Sequence, residues 1–204
     1  MSGLPGGLLA PVLAAAITSV LLHGLRPVAI RIGLVDLPGP RKSHAGVVPL
    51  TGGVGMFCGF VFVALTLDTG LTAYRSFFAA AGVLMVVGVL DDFHELTSRT
   101  RFAAQIVAAL LMAYWGGVVL HDLGELGAGG AVFALGRWEV VFTVFATVGV
   151  INALNMIDGL DGLAGGLSLV ALAGLAWVAH AAGRGDDLAL LVLLGAVVLA
   201  FLAF

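Results

Sequence analysis

Between residues 152 and 162 the chain reads Asn152-Ala153-Leu154-Asn155-Met156-Ile157-Asp158-Gly159-Leu160-Asp161-Gly162, directly after an apolar run. At roughly 100° per residue, Asn152, Asn155 and Asp158 fan across about 120° of one helix face. Asp161 would lie opposite Asn152 on a continued helix. It joins the others only where the helix breaks, and Gly159 and Gly162 supply that break. Two asparagines could serve as hydrogen-bonding glue between membrane helices, but that leaves both aspartates unexplained. The grouping points to chemistry.

A second group, Gly88-Val89-Leu90-Asp91-Asp92-Phe93-His94-Glu95-Leu96, closes another apolar run and is followed by Arg99 and Arg101. Adjacent carboxylates repel each other unless a cation or metal compensates. The pair suits a general base or a Mg²⁺ site, since Mg²⁺ takes one or two carboxylates plus substrate phosphates. A solvated helix cap, with Arg99 and Arg101 as membrane anchors, is the alternative. A third group runs Val35-Asp36-Leu37-Pro38-Gly39-Pro40-Arg41-Lys42-Ser43-His44 and on to Pro49-Leu50-Thr51-Gly52-Gly53. Its prolines exclude a helix and leave a loop with three potential cations. Such a loop often holds only lipid headgroups; phosphate binding competes because of the other two groups. Gly162-Leu163-Ala164-Gly165-Gly166 loosely suggests a phosphate loop, but no strand precedes it.

The elements that position these groups follow from composition. Of 204 residues, 61% are hydrophobic and only 10% charged, with a mean hydropathy of +1.15. A soluble domain carries about 25% charged residues, so this is an integral membrane protein. Nine Lys and Arg against twelve Asp and Glu leave −3, which excludes the basic footprint of a nucleic-acid binder. The single cysteine, Cys58, lies in an apolar run and rules out an internal disulfide. Stretches free of Asp, Glu, Lys and Arg run over 1–25, 43–67, 76–90, 102–121, 140–157, 162–183 and 188–204. A crossing needs about 20 apolar residues, and these runs are too continuous for barrel strands. The expected fold is all-α: one polytopic transmembrane bundle over 1–204, with about seven spans.

The first run has no basic residue before it and is read as a span, not a cleaved leader. With residue 1 outside, Arg26, Arg31, Arg41, Lys42, Arg99 and Arg101 fall inside, against Arg75, Arg137 and Arg184 outside. That bias orients the N-terminus outward and all three polar groups inward. Val118-Val119-Leu120 and Ala131-Val132-Phe133 form either a small outer hairpin or an irregular loop. The last run is apolar through Phe204, without the usual interfacial anchors, so the chain is expected to be the front part of a longer protein. Interface or packing roles are expected for His23, His121 and His180, belt anchoring for Trp115, Trp138 and Trp177, and filler roles for Met56, Met85 and Met112.

Taken in order, Arg41-Lys42-X-His44 with Pro49 and Gly52-Gly53, then Asp91-Asp92, then Asn152-X-X-Asn155-X-X-Asp158-Gly159-X-Asp161-Gly162 resemble the polyprenyl-phosphate N-acetylhexosamine-1-phosphate transferases of the WecA/MraY type. Arg-Lys-Ser-His before Val-Pro-Leu-Thr-Gly-Gly, and Asn-Met-Ile-Asp, are similar to the branch that uses UDP-N-acetylglucosamine. The resemblance implies about ten or eleven spans around a cytoplasm-facing cleft, in a bacterial inner membrane. It also implies a later Gly-Asp-X-Gly-Ser segment and a histidine-rich loop, neither of which occurs in these residues.

The implied reaction moves N-acetylglucosamine 1-phosphate from UDP-GlcNAc to a polyprenyl phosphate and releases UMP, the first lipid-linked step of a cell-envelope polysaccharide. Mg²⁺ or Mn²⁺ is the implied cofactor. Asn155 is the first-choice metal ligand by motif position, with Asp158 and Asp92 as second choices. Asp91 is the expected base, assisted by Asp92, although both could instead position substrate or metal. Arg101 is the expected phosphate clamp, supported by Arg41, Lys42 and His44. Asn152 is a substrate contact, and Asp161 is expected near uridine. The partners are the UDP-sugar, the polyprenyl phosphate and the membrane, with a homodimer left open. Competing readings are a transporter or proton channel, an inactive fragment, and, within the family, phospho-MurNAc-pentapeptide transfer.

Overall fold

In lipid a helix satisfies its own backbone, and every predicted span contains one. A computed structural model describes residues 6–36, 47–67, 71–126, 130–157, 159 and 162–204. Its helices are α1 (Gly6–Ile32), α2 (Gly52–Ala64), α3 (Arg75–His94), α4 (Ser98–Leu110), α5 (Glu139–Ile157), α6 (Leu163–Ala181) and α7 (Gly185–Leu202). Five are long and apolar enough to cross a membrane: Leu9–Ile32, Leu71–His94, Gly136–Ile157, Leu163–Ala181 and Gly185–Leu202, counting flanking 3₁₀ turns. The protein is therefore an all-α polytopic membrane protein. The other two helices fall short of seven full crossings for visible reasons. α2 has 13 residues, roughly 20 Å against a hydrocarbon layer of about 30 Å. α4 opens on Arg99 and Arg101 before widening into a π-helical turn at Leu111–Trp115.

Helix ends depart from the charge-free runs. α1 continues past Arg26 and Pro27 to Ile32 and stops at Gly33, whose φ is +77°. α3 takes in Arg75 at its start and both aspartates at its end, because charged groups at a span end reach the interface without breaking the helix. Two small ribbons complete the chain. β1 (Val35–Asp36) pairs antiparallel with β2 (Val48–Pro49), which clamps the base of the loop carrying the first polar group. β3 (Asp122–Glu125) pairs antiparallel with β4 (Val132–Ala134). The expected hairpin forms, but its first strand lies four residues later than Val118. A bulge near Gly124, whose φ is +73°, interrupts its register.

The core lies among α1, α2 and α7, where Ala14, Phe60, Val63, Ala64, Leu190, Leu193 and Val197 are buried together. α6 packs on α7, α3 on α2, α4 on α3 and α5 on α4. Close approach of α1 to α2 depends on glycines, as is common where no hydrophobic drive separates helix from lipid. A Cβ on Gly59 would lie 2.1 Å from Thr18 Oγ1, and one on Gly55 would lie 2.6 Å from Leu22 Cδ2. Gly53 has nothing within 4 Å of that position. We expect Gly59→Ala to cost about 1–3 kcal/mol by overpacking and Gly53→Ala to cost nothing comparable, read by thermal unfolding in detergent.

Candidate active site

The two aspartates occupy the last turn of α3. The helix ends when Glu95 turns left-handed at φ 47°, ψ 66°, and its N–H donates to the Asp91 carbonyl at 2.8 Å. A helix C-terminus carries the negative end of the macrodipole and needs donors. Ionised carboxylates have no donor to offer it, so the pair does not satisfy the helix end. α4 begins three residues later in the opposite sense. Thr97 caps it, with Oγ1 accepting from the Thr100 N–H at 3.3 Å, and its first turn carries Arg99 and Arg101. Acids at a negative end and arginines at a positive end are each disfavoured alone. The tight turn sets them side by side, so each compensates the other.

Arg101 Nη1 lies 3.5 Å from Asp91 Oδ2, with the two side chains 44% and 26% exposed. A pair this open contributes about 0–1 kcal/mol, too little to explain two charges at adverse helix ends as a stability device. Asp92 lies within the electrostatic reach of both Asp91 and Asp36. Arg101 pairs with Asp91, and the described residues hold no group of three or more His, Cys, Asp or Glu placed to bind a metal ion by themselves. The expected effect of Asp92→Asn is a higher melting temperature, by about 0.3–1 kcal/mol of relieved dipole and charge repulsion, measured in metal-free buffer. A residue kept for stability would shift it the other way.

α4 also reaches the third group. One turn beyond Arg101, Gln105 presents Oε1 to the side chain of Asn152 on α5. Asn152 Nδ2 donates to it at 2.6 Å and to the Val148 carbonyl at 2.8 Å. Asn155, one turn further along α5, is exposed at the same end. The predicted break follows: α5 stops at Ile157, and Gly162 is left-handed at φ 76° before α6 begins. Thus Asp91, Asp92, Arg101, Asn152 and Asn155 gather at one end of α3, α4 and α5. Arg41, Lys42, His44, Asp158 and Asp161 lie outside the described residues. Two residues were not singled out beforehand. Gln105 was traceable as an amide one turn from Arg101 in an apolar run. Asp36 was legible only as part of a longer loop.

The opposite end has a different character. Tyr74 Oη donates to Asp187, Arg184 Nε lies 2.5 Å from Asp187 Oδ2, and His121 faces Glu139 at 2.9 Å. Arg75 lies over Trp115 and Arg137 over Trp138, with guanidinium-to-ring distances of 5.4 and 5.5 Å, as expected of interface belts. A cavity of about 350 Å³ opens here. Its walls are mostly apolar, Phe60, Phe77, Leu175 and Leu194 among them, with Tyr74, Arg184 and Asp187 also lining it, and none of the residues around Asp91, Asp92, Arg101 and Asn152 borders it. No Asp, Glu, Lys or Arg interrupts the helices between the two ends. A proton or ion path would place ionisable groups at several depths.

The helical membrane protein thus sets acids, an arginine and amides together at one end of its spans, a polar cluster beside the bilayer. In comparison with known proteins, the model of glycosyl transferase family 4 matches residues 74–204, and the chain belongs to that family. It is 39% identical over 120 residues to the undecaprenyl-phosphate alpha-N-acetylglucosaminyl 1-phosphate transferase of Yersinia pestis, covering 59% of this chain and 31% of that protein. The proteins of that name from Haemophilus influenzae and Escherichia coli K12 are 38% and 34% identical over 122 and 128 residues. These matches cover 59% and 63% of this chain, and 34% and 33% of those proteins. The chain spans about a third of the length of these curated relatives.

Proposed function

We propose that the protein transfers N-acetylglucosamine 1-phosphate from UDP-GlcNAc to a polyprenyl phosphate. An oxygen of the lipid phosphate attacks the β-phosphorus of the nucleotide sugar. A new P–O bond forms, the bond between the β-phosphorus and the bridging oxygen breaks, and UMP leaves with that oxygen. The names of the relatives support this reading. The observation that carries it is the junction of Asp91 with Arg101 and of Gln105 with Asn152, by which α4 joins two polar groups distant in sequence. The acid-bearing end is assigned to the cytoplasm of a bacterial inner membrane, where Lys and Arg are in excess and a soluble nucleotide sugar is available.

Phosphoryl transfer is mostly positioning and charge neutralisation. The donor chemistry fits a hard divalent ion, because Asp91 and Asp92 are adjacent on the last turn of α3 and every proposed ligand atom is oxygen. Mg²⁺ or Mn²⁺, held by Asn155 with Asp92 and Asp158, would neutralise diphosphate charge. Asp91, held by Arg101, takes the proton of the lipid phosphate where one remains, and Asp92 assists it. Arg101 is also placed to meet a phosphate oxygen, with Arg41, Lys42 and His44 in support. Asn152 contacts the donor, and Asp161 contacts uridine. The test is UMP release by the purified full gene product given UDP-GlcNAc, undecaprenyl phosphate and Mg²⁺. Turnover of UDP-MurNAc-pentapeptide instead, or no UMP from either donor, would overturn it.

A further inference from the structure

The chain contains three side-chain amides in 204 residues, Gln105, Asn152 and Asn155. Gln105 on α4 is bonded to Asn152 near the C-terminal end of α5, and Asn155 lies one turn further along that end. If amides served here as general glue between spans, they would be expected at several helix contacts.

The polarity of the bond is dictated by its neighbours. The Val148 carbonyl can only accept, so the group of Asn152 that faces it must be the NH₂. The second hydrogen of that NH₂ then points at Gln105, which must present Oε1. Both donors of Asn152 are consumed inside the protein. Its Oδ1 makes no hydrogen bond among the described residues, and neither does Gln105 Nε2. Asn152 is half-buried and lies one turn from exposed Asn155, so its carbonyl oxygen is held at the inner margin of the site with one orientation.

We infer that Gln105 is a positioning residue for the nucleotide-sugar site: it takes one Nδ2 hydrogen of Asn152, Val148 takes the other, and Asn152 Oδ1 is thereby fixed as an acceptor toward an N–H or O–H of the donor substrate. This rests on the function proposed above. Without Gln105 the amide of Asn152 can rotate away from the site, and the same helix packing no longer defines where its oxygen points.

The test separates positioning from general support. In the full gene product, Gln105→Leu is expected to raise the KM for UDP-GlcNAc about tenfold, the equivalent of one lost hydrogen bond, and to leave the KM for undecaprenyl phosphate within about twofold. The reciprocal pair Gln105→Asn with Asn152→Gln, which conserves the combined reach of the two amides, is expected to recover most of that loss relative to either single change. Equal KM values for both substrates in the variant and the parent overturn the inference. So does a drop in kcat alone, which would mark a merely structural role. If the unsubstituted protein releases no UMP, the proposed function fails instead. A double-mutant cycle of Gln105→Leu and Asn152→Leu on melting temperature then decides the bond: non-additive shifts uphold it, and additive shifts overturn it.

Discussion

Asp91→Asn is expected to reduce UMP release by about 100- to 10,000-fold, the range associated with a positioned acid–base group, with little change in the yield of folded protein. The argument starts from placement. Asp91 sits at the negative end of α3 and is held by Arg101 at 3.5 Å, in a pair too exposed to stabilise the fold strongly. The asparagine keeps the shape and one acceptor oxygen but loses the charge that fixes Arg101 and the site that takes a proton. Arg101→Leu is expected to produce a comparable loss, because it leaves the Asp91 carboxylate without its arginine and removes the proposed phosphate clamp. Near-normal turnover in Asp91→Asn would move the base elsewhere and reduce Asp91 to a membrane-end residue.

The second large effect concerns the divalent ion. Chelation by EDTA is expected to abolish UMP release, and added Mg²⁺ or Mn²⁺ to restore it. Asn155→Ala is expected to raise the Mg²⁺ concentration for half-maximal rate by about 10- to 100-fold, the usual cost of disturbing a metal's ligand shell. The control is Asn155→Asp, which retains an oxygen donor and is expected to need less Mg²⁺ than the alanine variant. Unchanged Mg²⁺ dependence in Asn155→Ala would assign the ion to the aspartates alone. Full activity in EDTA would remove the ion from the reaction altogether.

The sequence carried the fold as far as charge-free runs can carry it. Lipid makes helices obligatory, so each apolar run contains one, but the runs misplace helix ends. Arg26, Arg75 and Asp91 were taken as boundaries, yet each lies inside a helix, since backbone hydrogen bonding continues to the interface whatever side chain is attached. The short ribbons were harder to see. Val35–Asp36 and Val48–Pro49 are too brief for any periodicity to register. Asp122-Leu123-Gly124-Glu125 is too polar and glycine-broken to look like a strand until Val132–Ala134 pairs with it.

Within the site, the sequence showed the paired aspartates and the asparagine run because spacing betrays them. It did not show that α4 is the part that joins them. That role depends on Arg101 and Gln105 sharing a face while their partners lie on two different helices, which is a property of packing and not of local pattern. The same limit applies to Asp36, whose relation to Asp92 is made by a two-residue ribbon.

The three residues between α3 and α4, Glu95 to Thr97, bear on how the protein is made. A connector that short keeps the end of α3 and the start of α4 on one side of the bilayer. Arg99 and Arg101, which resist translocation, then retain the preceding aspartates on their own side. On the proposed function, the side on which the reaction runs is thereby tied to where these arginines are retained, and an error in topology would have to carry acids and arginines across together.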